Sequence, residues 1–183
     1  MKAAVLNYSS GSKFFHWLIA VIVIGMLGGS FFLGDLPEPY IPTAFMIHKS
    51  LGLTVLVLML LRLFWLKYTG RPPLPSSMLA WEKFLSRFVQ YSLYFFLIIQ
   101  PLSGWIMSVA ANRIPSYFGL INLPFPGISS DKDLASFMNA CHITIAWIII
   151  GLLVLHVAGA LKHHFINKDN VLRSMLPGRK KLR

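Results

Sequence analysis

Four histidines lie inside long apolar stretches of this 183-residue chain, and their positions pair them by depth. His16 and His48 stand near the starts of the first two stretches, while His142 and His156 share the last, fourteen residues apart. On an α-helix that separation is about 21 Å of rise and falls about 40° short of four full turns, so both rings look over one face. Ionisable side chains are costly in hydrocarbon and usually mark a functional path. A lone histidine in a membrane helix is more often a packed or hydrogen-bonded residue than a ligand. Four at two matched depths read instead as two pairs of axial ligands, each pair filling both open positions of a haem iron. That leaves no site for a diatomic ligand, and the chemistry becomes electron transfer.

The elements that must position these rings follow from composition. The chain is 56% hydrophobic and 13% charged, against roughly a quarter charged in a soluble domain. Crossing the hydrocarbon takes about 20 helical residues. Four stretches fit, roughly 14–33, 46–66, 88–109 and 137–161. The expected fold is an all-α, integral membrane four-helix bundle forming one domain over residues 1–183, with a basic tail at 162–183. Pro37, Pro39 and Pro42 stop the first helix and force a short loop before His48. Gly70-Arg71-Pro72-Pro73-Leu74-Pro75 makes a stiff turn, and 76–87 reads as an interfacial lead-in with Trp81 at headgroup level. Gln100-Pro101 predicts a kink in the third helix, and Gly104 allows a neighbour to approach closely. The loop 112–133 is the longest and is expected to fold down over that end of the bundle.

A formal charge of +11 invites a nucleic-acid reading, but its distribution argues for topology instead. Fourteen of the 17 basic residues fall on one side, in the N-terminal arm, the second connection and the tail. Only Lys49, Arg113 and Lys132 fall on the other, together with Asp35, Glu38, Asp131 and Asp133. The positive-inside rule then puts both termini in the cytoplasm, with anionic lipid as a partner of the basic side and no nucleic acid. The first apolar run lacks an A-x-A-like cleavage site and reads as a retained first helix. One cysteine, Cys141, rules out an internal disulfide, and no C-x-x-C-H occurs, so haem is expected as a non-covalent b-type cofactor.

With that topology, His16 pairs with His156 at the inner level and His48 with His142 at the outer. The residue four after each histidine is small: Ala20, Gly52, Ala146 and Ala160. Position i+4 lies on the same helix face, where a bulky side chain would collide with a porphyrin plane. No Asp or Glu lies inside the four stretches, which disfavours a metal-ion transporter. Arg62, fourteen residues after His48, sits on the same face at the inner level. It is suited to a haem propionate, with a snorkelling boundary arginine as the equal alternative. Lys49 fits the outer propionates, an anionic reactant, or plain solvation. His163, seven residues past His156 and about 20° off its face, could hydrogen-bond a quinone carbonyl and handle its proton. His164 points about 100° away, toward headgroups or water.

Three stretches carry a family resemblance. Phe15-His16-Trp17-Leu18, Ile47-His48-Lys49-Ser50-Leu51-Gly52 and Leu161-Lys162-His163-His164-Phe165-Ile166-Asn167-Lys168-Asp169 resemble the bacterial cytochrome b561 family. The resemblance covers nearly the whole chain. It implies a four-helix protein of the bacterial inner membrane with two haem b groups, His16, His48, His142 and His156 as axial ligands, and ubiquinone exchange near His163 on the cytoplasmic side. Three functions are then expected. The first is electron transfer between the quinone pool and a periplasmic donor or acceptor. The second is superoxide:ubiquinone oxidoreduction, the reaction of one family member. The third is service as the haem-bearing anchor of a peripheral dehydrogenase or hydrogenase.

Overall fold

A computed structural model describes residues 7–178. The basic residues Lys2, Arg179, Lys180, Lys181 and Arg183 that enter the charge argument lie outside it. Four helices are long and apolar enough to cross a membrane: α1 (Ser10–Ser30), α2 (Ile41–Thr69), α3 (Ala80–Ala110) and α4 (Lys132–Phe165). A short α5 (Val171–Met175) follows. Chain order puts the starts of α1 and α3 and the end of α4 at one end of the bundle, the terminal end. The starts of α2 and α4 lie at the far end.

Each helix is longer than its apolar run, because the backbone ladder continues until a cap stops it. Ser9 Oγ accepts the Ser12 N–H at 3.2 Å and starts α1 before the apolar residues begin. Pro42 enters the first turn of α2, where its missing N–H has no intrahelical partner to lose. Asp131 Oδ1 accepts the Asp133 and Leu134 N–H groups at 2.9 and 3.0 Å, opening α4 five residues ahead of its hydrophobic run. The largest difference is in α3. Residues from Ala80 onward, expected as an interfacial lead-in, are its first turns, fastened by Glu82 Oε2 accepting the Leu79 N–H at 3.2 Å. The Lys162 ammonium of α4 then pairs with Glu82 and sits 5.5 Å over the Trp81 ring.

α1 packs on α2, α2 on α3, and α3 on α4. α4 by contrast stands off from α1 and α2 along their backbones, which leaves a cleft between them. One core joins α1 and α2 through Ile19, Val23, Val55 and Met59, and a second joins α3 and α4 through Val89, Leu93 and Leu152. Lipid tails are as apolar as these side chains, so close packing rather than escape from water holds the helices together. The lipid-facing surface is correspondingly apolar, with Phe64, Val154 and Phe165 all more than half exposed.

The far-end loop does fold down on the bundle. Its small antiparallel hairpin pairs β1 (Ser116–Tyr117) with β2 (Ile121–Asn122). Phe118 and Gly119 take φ of +48° and +75°, as a primed two-residue turn requires, and Leu120 N–H returns to Tyr117 O at 3.0 Å. Ser50 of α2, fully buried, clasps it: its Oγ accepts the Phe118 N–H at 2.8 Å and donates to Met46 O at 2.8 Å. Thr54 and Tyr117 share a hydroxyl contact at 3.0 Å, and Trp105 Nε1 donates to Leu123 O at 2.8 Å. Replacing Ser50 by alanine leaves a buried N–H without an acceptor. The expected cost is about 1–3 kcal/mol of stability, read as a lower melting temperature in detergent and faster proteolysis within 112–131.

Candidate functional site

The depth pairing expected from the sequence is present in the structure. The His16 and His156 rings face each other across the α1–α4 cleft with centroids 6.1 Å apart. Those of His48 and His142 face each other between α2 and α4 at 6.4 Å. A metal-bound imidazole nitrogen sits about 2 Å from the ion and about 1 Å from its own ring centre, so two rings sharing one ion stand about 6 Å apart. Both pairs have that spacing. α4 contributes one histidine to each level.

The far-end pair opens on a cavity of about 390 Å³. Its lining includes both rings, Lys49, and the small residues Gly52, Gly104 and Ala146. Gly52 and Ala146 are the positions four after His48 and His142, and their missing bulk is part of the space. Ala20 and Ala160, their counterparts at the other level, are half-buried.

α3 has no histidine, yet it orients one. His142 Nδ1 lies 3.0 Å from Gln100 O and 3.0 Å from Ser103 Oγ. An Nδ1–H donated to that carbonyl fixes the tautomer and leaves Nε2 with a lone pair, as metal-ligating histidines require. These groups flank Pro101 in the second half of α3, and Ser103 is itself buried. Gly104 is a necessity of the same contact, since a Cβ there would lie 2.9 Å from His142 Cε1. The close neighbour that Gly104 admits is therefore the His142 ring itself. Gln100 and Ser103 were not legible as site residues; the Gln100-Pro101 break was the only signal near them. The Gln100 side-chain amide lies 3.2 Å from His142 Nε2, and its Oε1 is buried with no partner among the described residues.

At the terminal end, Arg62 is buried in α2, 8% exposed, and pairs with no carboxylate among the described residues. Its charge is felt at both His16 and His156, and its guanidinium carbon lies 5.8 Å from the Tyr94 ring centre. His163 is buried at the end of α4. Its Nδ1 donates to Asp169 Oδ2 at 2.6 Å, because the turn after α4 passes through Lys168 at φ +52° and folds back. Asp169 Oδ1 accepts the Val171 N–H at 2.9 Å, which holds the carboxylate in place. His164, expected at headgroups or water, is half-buried with its Nδ1 enclosed.

Facing imidazoles at metal-sharing distance, with one Nδ1 held by a backbone carbonyl and an unpaired buried arginine at the other level, fit an iron porphyrin with carboxylate arms. Fold and site together define an integral-membrane haem protein. Residues 7–178 match the family of prokaryotic cytochrome b561. Cytochrome b561 homolog 2 of Escherichia coli (strain K12) is 33% identical over 173 residues, covering 93% of this chain and 91% of that protein. A protein of Yersinia pestis named probable superoxide oxidase CybB is 34% identical over 165 residues, covering 88% and 91%. Cytochrome b561 homolog 1 of Escherichia coli (strain K12) is 26% identical over 176 residues, covering 95% and 99%. The chain belongs to the prokaryotic cytochrome b561 family: a multi-pass inner-membrane protein that carries haem b and transfers electrons.

Replacing Gly104 by valine is expected to push the His142 ring off its position. Haem affinity at that level should fall by about 10-fold or more while helix content by circular dichroism is unchanged. Alanine should act in the same direction and less.

Proposed function

We propose that the chain is a di-haem b-type cytochrome moving single electrons between the quinone pool and a redox partner at the periplasmic face. The observation that carries this reading is the two facing imidazole pairs, each at the spacing one shared ion requires, at two levels of one bundle. Bound haem supplies reversible one-electron exchange at iron. The protein's part is to hold the rings, exclude water and place charge. The Gln100 carbonyl keeps the His142 proton on Nδ1, so Nε2 carries the lone pair that iron would take in place of the Gln100 side-chain amide 3.2 Å away. The basic excess at the terminal end orients the bundle with both termini in the cytoplasm, which makes His16 and His156 the inner pair and His48 and His142 the outer.

The inner end would exchange electrons with ubiquinone near His163. With Nδ1–H donated to Asp169, the imidazole presents Nε2 as the atom that takes or gives the quinone's proton. At the outer end a second reading has its own support. Lys49 lines the cavity beside His48, where its ammonium donates to Arg113 O at 3.1 Å. Its charge would draw in a small anion such as superoxide, the substrate named for the Yersinia relative. Superoxide would then be the outer donor and ubiquinone the acceptor.

A reduced-minus-oxidised spectrum with a pyridine haemochrome count should give two haem b per chain. Replacing His48 or His142 by alanine should leave about one, and an unchanged spectrum in either variant would remove the ligand assignment. A superoxide source should reduce the purified oxidised protein if the second reading holds; an unresponsive spectrum would eliminate it. Asp169→Asn should slow quinone reduction roughly tenfold or more with haem content intact, as expected for loss of the group that orients a proton carrier.

A further inference from the structure

Two arginines meet over one aromatic ring at the terminal end with no acid between them. Arg71, just past the end of α2, turns its guanidinium onto α3, with its carbon 5.1 Å from the Tyr91 ring centre and 5.4 Å from that of Tyr94. Arg62, a buried residue two turns earlier, uses the same Tyr94 ring at 5.8 Å. Tyr8, half-buried in the arm before α1, is brought to the end of α2 because its neighbour Ser9 accepts the Trp65 Nε1–H at 2.9 Å and lies 3.5 Å from Thr69 Oγ1. The chain has six acidic side chains. Asp35, Glu38, Asp131 and Asp133 are at the far end, Glu82 is taken by Lys162, and Asp169 by His163. None remains for the arginines. Aromatic faces soften a guanidinium's desolvation but do not neutralise it, and a buried arginine without an anion is costly.

We propose that Arg62, Arg71 and the Tyr8 hydroxyl form a binding site for the carboxylate arms of the haem held by His16 and His156. Arg62 belongs to the expectation already stated; Arg71 and Tyr8 extend it to a clamp that joins α2, the turn after it and the N-terminal arm. The site favours a carboxylate that arrives from inside the bundle, because Arg62 is enclosed. The phosphate of an anionic lipid offers the same oxygen chemistry from outside. The stiff turn of Pro72, Pro73 and Pro75 keeps Arg71 directed back at the bundle rather than into the headgroups.

This inference rests on the inner haem of the proposed function, and the experiment separates the two. Arg71→Gln, Arg71→Lys and Tyr8→Phe are compared with the full chain by haem count, circular dichroism and potentiometric titration of the inner haem. The protein is reconstituted once in nanodiscs of phosphatidylcholine alone and once with phosphatidylglycerol added. Arg71→Gln should lower the inner potential, since a cation beside the carboxylates favours the reduced, less positive haem, or weaken inner-haem retention severalfold. Arg71→Lys should keep most of the wild-type behaviour, Tyr8→Phe should shift the potential in the same direction and less, and both lipid compositions should agree. A bound inner haem with unaltered potential and retention in Arg71→Gln and Tyr8→Phe would overturn the clamp. So would an effect seen only with phosphatidylglycerol, which would assign the arginines to lipid. A His16→Ala variant that keeps the full haem count would overturn the inner-haem reading itself.

Discussion

An imidazole in hydrocarbon needs partners for both ring nitrogens, and almost everything in this bundle follows from supplying them. A neutral ring carries one donor and one acceptor, and lipid satisfies neither. His142 meets the first demand with a backbone carbonyl of α3 and the second with the Gln100 side-chain amide, while its ring faces that of His48. That arrangement dictates a glycine at 104, small residues four along from the far-end histidines, and a cleft in place of direct α2–α4 packing. Family membership implies haem b, and a cleft of this kind fits it.

The division of labour among the helices is uneven. α1, α2 and α4 carry the facing rings, whereas α3 contributes none and packs along α4 and α2. Its role is to buttress. Gln100, Ser103 and Gly104 fix a ring on α4, and Tyr91 and Tyr94 receive the two arginines at the end of α2. The far-end loop adds a second fastening, with Ser50 buried only two residues after His48. The ligand helix is thereby fixed from the loop side as well as from the bundle.

The apolar runs and the histidine spacing were enough to read the four helices and the depth pairing, because both depend on periodicity alone. Helix ends were less legible. Hydropathy marks where side chains turn polar, but α3 begins eight residues before that point, where Glu82 reaches back to Leu79 and Lys162 holds Glu82. Polar partners were the least legible part. Which carbonyl faces His142, or where the Arg71 side chain turns, depends on which helices become neighbours and on rotamers, and neither is periodic in the sequence. The half-burial of His164, expected at headgroups or water, was not legible in its rotation about α4.

Because each imidazole couple draws one member from α4, the first two spans cannot grip anything between opposing rings by themselves. α4 is the last of the four to leave the ribosome, and chains are made from the N-terminus onward. Until it arrives, His16 and His48 wait with open faces toward an unfilled gap. Any group held between opposing rings is therefore gripped only once synthesis is complete, and a truncated product lacking this span would display half-sites.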